Sequence, residues 1–335
     1  MNHRVVFTGV NQIEIEPCEM LSPGPGQMLV RTIKSAISTG TELTILTGEY
    51  PQGSRWEEYG TFPFYAGYSN VGEVLEVGAG VTRFSVGDRV ASGANHCAYN
   101  LVQDGGQAHP VPDGVSDEAA ALYMLLQIAI HGVRRAGIQM GESVVVYGLG
   151  VIGQFALQLA RIDGARPAIG VDLSAFRRDL AESLGADLVI DGADDDIAAQ
   201  VKAATRGRMA DCVIEITGVA ELIPAEMDLL RRQGRIVILS SPRGETNFNF
   251  HDSCNAPSTT IIGAHNGSHP QYETPYNPWT PARNVELIFD LIVSGELHVE
   301  ELVTHRYNWE DAADAYDMLM EDRGQAGAVI LEWEE

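Results

Sequence analysis

At 335 residues the chain is long enough for two domains, each able to bury a core of its own. Asp and Glu total 46 against 22 Lys and Arg, a formal charge of −24 that repels phosphate backbones and argues against nucleic acid as a partner. Hydrophobic residues at 45% and charged residues at 20% belong to a folded globular protein and exclude disorder as its main state.

The acidic excess is scattered in short stretches such as Asp194-Asp195-Asp196, which reads as a solvated surface. Cys18, Cys97, Cys212 and Cys254 lie far apart with no CxxC pair, so a disulfide framework is not expected and a reducing cytoplasm fits better. No targeting segment is visible, because Met1 to Phe7 already reads as a strand. The uncharged stretch from Ser143 to Ala160 is interrupted by Gly148, Gly150 and Gly153 and carries Gln154 and Gln158, so no membrane span is expected.

Taken in chain order, residues up to about 115 read as short β-rich segments punctuated by Gly and Pro, for example Gln27 to Thr32 after Pro23-Gly24-Pro25-Gly26, then Val71 to Gly78 and the turn at Gly87. From about Asp117 the period changes to that of a helix, expected from Ala120 to Ala136. Strands are then expected at Ser143 to Tyr147, Ala168 to Asp172, Leu188 to Ile190, Cys212 to Ile216, Arg235 to Leu239 and Thr259 to Gly263. Helices alternate with them at Val151 to Asp163, Ala175 to Leu184, Ile197 to Thr205 and Glu221 to Leu230. Such alternation predicts an α/β fold with a doubly wound parallel sheet. Two more helices, Arg283 to Ser294 and Trp309 to Glu321, precede a closing strand at Ala328 to Trp333. The expected organisation is a β-rich domain from residues 1–124 and 282–335 around a central domain at 125–281.

Val144 to Tyr147 followed by Gly148-Leu149-Gly150-Val151-Ile152-Gly153 is a GxGxxG turn placed between an apolar strand and a helix. The glycines permit a tight turn, close approach of backbone to a pyrophosphate and close packing of helix on strand, while the helix N-terminus offers free N–H groups. Asp172 ends the next strand, near the roughly 20-residue spacing of the carboxylate that binds the adenosine ribose. That acid favours NAD over NADP, although Arg177 and Arg178 lie close enough to weaken the preference. Thr217 and Ser240, just beyond two later strands, complete the expected cofactor site.

Further segments carry a resemblance that spans nearly the whole chain: Gly40-Thr41-Glu42-Leu43, Gly67 to Val74, Val86 to Val90, Val111 to Val115 and Leu184-Gly185-Ala186-Asp187, with the GxGxxG turn. With these the sequence resembles the medium-chain dehydrogenase/reductase superfamily, the zinc alcohol dehydrogenase-like proteins. The resemblance implies a GroES-like catalytic domain built from both chain ends and a central Rossmann domain. It also implies where a catalytic zinc would sit. By register Thr39, Tyr68 and Met124 occupy the ligand positions, and none is a good zinc ligand. The four-cysteine lobe of a structural zinc is also missing, so the chain resembles the zinc-lacking branch and no metal is expected.

Without a Lewis acid, a protein group must move the hydroxyl proton. Tyr68 is one candidate, needing a lowered phenol pKa. His96 is the other, in a loop that the family uses to line the substrate pocket. Thr41 matches a proton-relay hydroxyl and Glu42 the acid beside the metal position. Their plainer roles are that Tyr68 fills the space of the ion, Thr41 caps a helix and Glu42 pairs with an arginine. His265 and His269 read as a polar loop rather than metal ligands, and His131 as a satisfied buried histidine. Aromatic residues cluster at Trp56, Tyr59, Phe62, Phe64 and Tyr65, and at Tyr272, Tyr276 and Trp279, to wall a pocket or meet a second subunit of a homodimer or homotetramer. The leading expectation is a zinc-free, NAD-dependent dehydrogenase that interconverts a secondary alcohol and a ketone, the alcohol being a polyol, a sugar or a bulkier ring-bearing alcohol. A quinone or enone reductase using NAD(P)H, and a nucleotide-binding protein without turnover, are the alternatives.

Overall fold

The computed structural model describes residues 1–333. They divide into two compact units, one formed by Met1–Leu125, Pro270–Gly295 and the segment from Val299 onward, the other by Leu126–His269 with Glu296–His298. Residues 270–281, drawn into the central domain from sequence, group with the first unit. Within this segment the Thr280 hydroxyl caps the helix Pro281–Val293 by accepting from the Arg283 amide, and the Arg283 guanidinium lies 4.7 Å from the Trp279 ring and 3.7 Å from the Glu273 carboxylate, which ties residues 273–280 to that helix.

In the first unit, Asn2–Gly9 and Gln12–Cys18 form an antiparallel hairpin to which Phe64–Tyr65 adds a third strand. A larger sheet is centred on Gln27–Ala36, which pairs with Asn70–Val77 on one side and Ala328–Glu332 on the other, so the carboxyl-terminal strand joins a sheet built from the first 110 residues. Val5, Phe7, Ile45, Leu46, Tyr316, Leu331 and Trp333 belong to one buried cluster, which joins the first strand, the helix Thr39–Thr47 and the carboxyl-terminal elements. Trp56, Phe62 and Phe64 from the first aromatic group pack against this cluster. They support the core, whereas Tyr272 and Tyr276 of the second group are exposed.

The helix expected from Ala120 to Ala136 is two helices, Asp117–Ala121 and Tyr123–Ala136, broken at Leu122. A side chain inserted into the backbone ladder accounts for the break. The Ser69 hydroxyl donates to the Ala121 carbonyl at 2.6 Å and accepts from the Met124 amide at 3.3 Å.

The second unit is a six-stranded parallel sheet in the order Leu188–Asp191, Ala168–Asp172, Val144–Tyr147, Ala210–Glu215, Leu230–Ile238 and Thr260–Gly263. Val144–Tyr147 is buried throughout, as a central strand covered on both faces must be. The strand order reverses direction at this strand, which opens a crevice at the carboxyl ends. The helix expected from Glu221 to Leu230 is instead a 3₁₀ turn and the short helix Ile223–Met227. Leu230 already belongs to the next strand, whose pairing slips between Ala210↔Leu230 and Cys212↔Arg235 with Gln233 at φ 59° in the bulge. Among the described residues no helix is long and apolar enough to cross a membrane.

Two carboxyl groups are enclosed in this unit. Glu215 is fully hydrogen-bonded, but neither oxygen of Glu226 has a hydrogen-bond partner among the described residues. Burial, with the Glu215 charge added, pushes the Glu226 pKa up to about 9. An acid raised in the folded state stabilises the fold below its unfolded pKa, and that contribution is lost as pH rises towards the folded value. Wild-type protein should therefore lose stability between about pH 5 and pH 9 relative to Glu226→Gln. Thermal melts should show the variant several degrees more stable at pH 8 and little different at pH 5; a constant difference across that range would refute the buried-acid assignment.

Candidate functional site

The residues singled out from sequence fall into two groups, one in each unit. In the first unit the helix Thr39–Thr47 begins at Ser38, which is the N-cap; Thr41 is not. Tyr68 lies partly buried next to this first turn. Its hydroxyl is bonded to the Ser38 hydroxyl and donates to the Thr41 hydroxyl at 3.2 Å. The result is a cluster of three hydroxyls, of which sequence reasoning missed Ser38, although it directly precedes the Thr39-Gly40-Thr41 segment. The lowered phenol pKa expected of Tyr68 is not found: burial pushes it up to about 12, against the opposing pull of the bonds to Ser38 and Thr41.

Glu42, 0% exposed, lies behind the cluster and is paired with no arginine among the described residues. One carboxylate oxygen accepts the Ser38 amide at 2.8 Å; the other accepts from Tyr316 and faces His96 Nε2 at 3.2 Å. His96 is also 0% exposed, so it does not line a pocket. Its Nδ1 is 2.7 Å from the Ser35 hydroxyl, which accepts from the Trp333 indole at 2.8 Å. Trp333, Ser35, His96 and Glu42 thus form one continuous buried chain of hydrogen bonds. Gly67, at φ 91°, lets the chain pass against this ring; a Cβ there would stand 2.6 Å from the His96 amide nitrogen. Tyr316, Trp333 and Ser35 carried no local signal, because the network joins residues nearly three hundred positions apart.

In the second unit Gly150 is the N-cap of Val151–Ile162 and supplies no side-chain cap, so the amides of its first turn, including Val151 and Ile152, are left to an anion. Gly148 adopts φ 98°, and a Cβ on Gly153 would run into the Gly148 carbonyl. These are the tight turn and the close helix-strand packing that the motif requires. Asp172 accepts the Leu149 amide at 2.7 Å and the Ser174 amide at 2.8 Å, which fixes its carboxylate beside the turn. Arg177 stands 3.9 Å from it, whereas Arg178 is engaged with the Asp172 and Leu173 carbonyls and Asp191. Thr217 and Ser240 both donate to Glu215, which also accepts the Gly218 amide at 2.9 Å. Glu215 thus organises the far side of the crevice, and sequence reasoning missed it. The turn, Asp172, Thr217 and Ser240 fit a dinucleotide along the carboxyl ends of the strands.

Zinc does not fit in the same way. Thr39 and Met124 offer a hydroxyl and a buried thioether, the Tyr68 hydroxyl is engaged by two others, and no group of three or more His, Cys, Asp or Glu among the described residues could hold a metal ion. His131, His265 and His269 form no such site. His131 is buried, 2.8 Å from the Ser268 hydroxyl, with its ring centroid 4.0 Å from that of His269 and tilted 32° to it, and burial pushes its pKa down to about 4.

Two family models match the chain: the alcohol dehydrogenase GroES-like domain over residues 24–146 and the zinc-binding dehydrogenase over residues 151–280. D-guloside 3-dehydrogenase of Escherichia coli (strain K12) is 30% identical over 285 residues, covering 82% of this chain and 78% of that protein. L-threonine 3-dehydrogenase of Pyrococcus abyssi is 27% identical over 351 residues, covering 95% and 94%. Among solved structures, 2R,3R-butanediol dehydrogenase from Bacillus subtilis aligns over 99% of each chain with a TM-score of 0.82 at 21% identity. The fold is accordingly a GroES-like domain with a Rossmann-type parallel sheet. The chain belongs to the zinc-type alcohol dehydrogenase superfamily of medium-chain dehydrogenases/reductases and is an oxidoreductase of the alcohol type.

Proposed function

We propose that the protein is an NAD-dependent, zinc-independent dehydrogenase that interconverts a secondary alcohol and a ketone on a polyol, a sugar or a ring-bearing alcohol. The observation that carries this reading is the Tyr68–Ser38–Thr41 hydroxyl cluster, set where good metal donors are lacking. The similarity to a D-guloside 3-dehydrogenase and to L-threonine 3-dehydrogenases supports a secondary hydroxyl on a polar substrate.

The cofactor, held by the Gly148–Gly153 turn, Asp172, Thr217 and Ser240, supplies the hydride acceptor or donor. The chain's own residues manage the proton. A phenol raised to about 12 keeps its proton throughout the neutral range, so Tyr68 is poised as the acid that protonates a ketone oxygen during reduction. In the oxidative direction the phenol oxygen takes the substrate proton as its own passes to the partly buried Thr41 hydroxyl, which releases its proton to solvent. Glu42 and His96 are positioning residues: both are enclosed, Glu42 accepts the Ser38 amide from which the cluster starts, and His96 braces the other Glu42 oxygen. Arg177 beside Asp172 favours a second reading, an enone or quinone reductase that accepts NADPH, because a guanidinium can receive the additional phosphate.

Turnover with NAD and NADP on polyols, sugars, ketones and enones separates these readings. NAD-linked oxidation of a secondary alcohol supports the first; NADPH-linked reduction of enones alone supports the second; tight NADH binding with no turnover on any of them overturns both. Tyr68→Phe should lower kcat by about 10²–10⁴-fold with little change in cofactor affinity, and wild-type ketone reduction should show no loss from phenol ionisation between pH 6 and pH 9. Full activity in that variant would remove Tyr68 from the chemistry. Asp172→Asn should weaken NAD binding by about tenfold and narrow the preference over NADP; unchanged NAD affinity, measured by NADH fluorescence titration, would contradict its ribose role.

A further inference from the structure

Cys18 and Cys97 are far apart in sequence, yet their sulfur atoms stand 3.9 Å apart. The backbone explains the meeting. Asn2 pairs with Cys18 in the amino-terminal hairpin, and Arg4 forms an isolated bridge to Cys97 on the other side of the same strand, so the two thiols converge over its end. Cys97 is 7% exposed and fixed: its thiol lies 3.3 Å from both Asn2 Oδ1 and the Tyr99 carbonyl. Cys18 is only partly buried and ends its strand. The other two cysteines, Cys212 and Cys254, belong to the second unit.

We propose that Cys18 and Cys97 are a reversible thiol–disulfide pair, closed by exchange with a low-molecular-weight disulfide. The Cys18 thiolate attacks the external disulfide, forming a mixed disulfide and releasing one thiolate. Cys97 then gives up its proton to solvent, attacks the Cys18 sulfur and expels the second thiolate. Two protein thiols are oxidised to one disulfide, one external disulfide is reduced to two thiols, and the two protons lost by the protein end on those products. Entry through Cys18 follows from exposure, and burial, which pushes Cys97 up to about 12, keeps it from reacting first. Closure needs an approach of about 2 Å between the sulfurs, to a bond of about 2.05 Å.

The consequence is local. The loop closed by the bond contains Ser38, Thr41, Glu42 and Tyr68, and one of its ends adjoins His96, whose ring faces Glu42. Oxidation would therefore restrict opening of the segment that carries the hydroxyl cluster.

The test is to equilibrate the full-length protein with oxidised glutathione, quench with acid and count thiols in denaturant. Four thiols should fall to two, non-reducing peptide mapping should join Cys18 to Cys97, and the melting temperature should rise by about 5 °C and return with dithiothreitol. Cys97→Ser should stop at a single glutathione adduct on Cys18, and Cys18→Ser should keep its remaining three thiols. Retention of four thiols in the wild type, a bond to Cys212 or Cys254, or a bond between chains would overturn the proposal.

Discussion

The first unit depends on one buried carboxylate. Glu42 accepts from the Ser38 amide and from Tyr316, and His96 Nε2 completes its shell, so a carboxyl group without solvent exposure has both oxygens partnered by protein. The helix it sits on has nine residues, too few to be stable alone. Its tie to Tyr316 on the helix Ala312–Asp322, and through His96 and Ser35 to Trp333, is what fixes its first turn. The orientation of Ser38 and Thr41 towards Tyr68 follows from that turn. Losing the acceptor would strand three buried donors, at a cost on the order of 3–5 kcal/mol.

A second buried carboxylate plays the same part in the parallel sheet. Glu215 gathers the Thr217 and Ser240 hydroxyls and the Gly218 amide at the ends of two adjacent strands. Asp172 does so on the other side of the central strand by accepting the Leu149 and Ser174 amides. The crevice for a dinucleotide is therefore bounded on both sides by side chains already held in place, which limits the ordering cost of binding. Glu226 is the exception, enclosed near Glu215 with no partner for either oxygen among the described residues.

What could be read from the sequence was what is encoded locally. The strand, glycine turn and helix at 144–162 are contiguous, and their hydrophobic period and the placement of Asp172 identify the cradle without tertiary information. The alternation of strands and helices gave the parallel sheet for the same reason. The hydroxyl cluster was half legible: Thr41 and Tyr68 stand in recognisable segments, but Ser38 contributes through a bond that no pattern records. His96 was placed in a pocket because its loop suggested one; Glu42 and Ser35 enclose it instead. The break at Leu122 depends on Ser69, the network on Tyr316 and Trp333, and the thiol pair on two neighbours of one strand. All of these are long-range, and periodicity within a segment carries no trace of them.

The proposed chemistry joins the fold to the superfamily by a substitution of means. Where related enzymes are named for zinc, this chain presents a phenol and two hydroxyls braced by a buried acid, with Thr39 and Met124 as the other nearby side chains by register. The most direct measurement of that claim is the metal content of turnover-competent protein, by elemental mass spectrometry, before and after dialysis against a strong chelator. The account predicts far less than one zinc per chain and the same turnover in both samples. One zinc per chain, removed together with activity and restored with it, would contradict it.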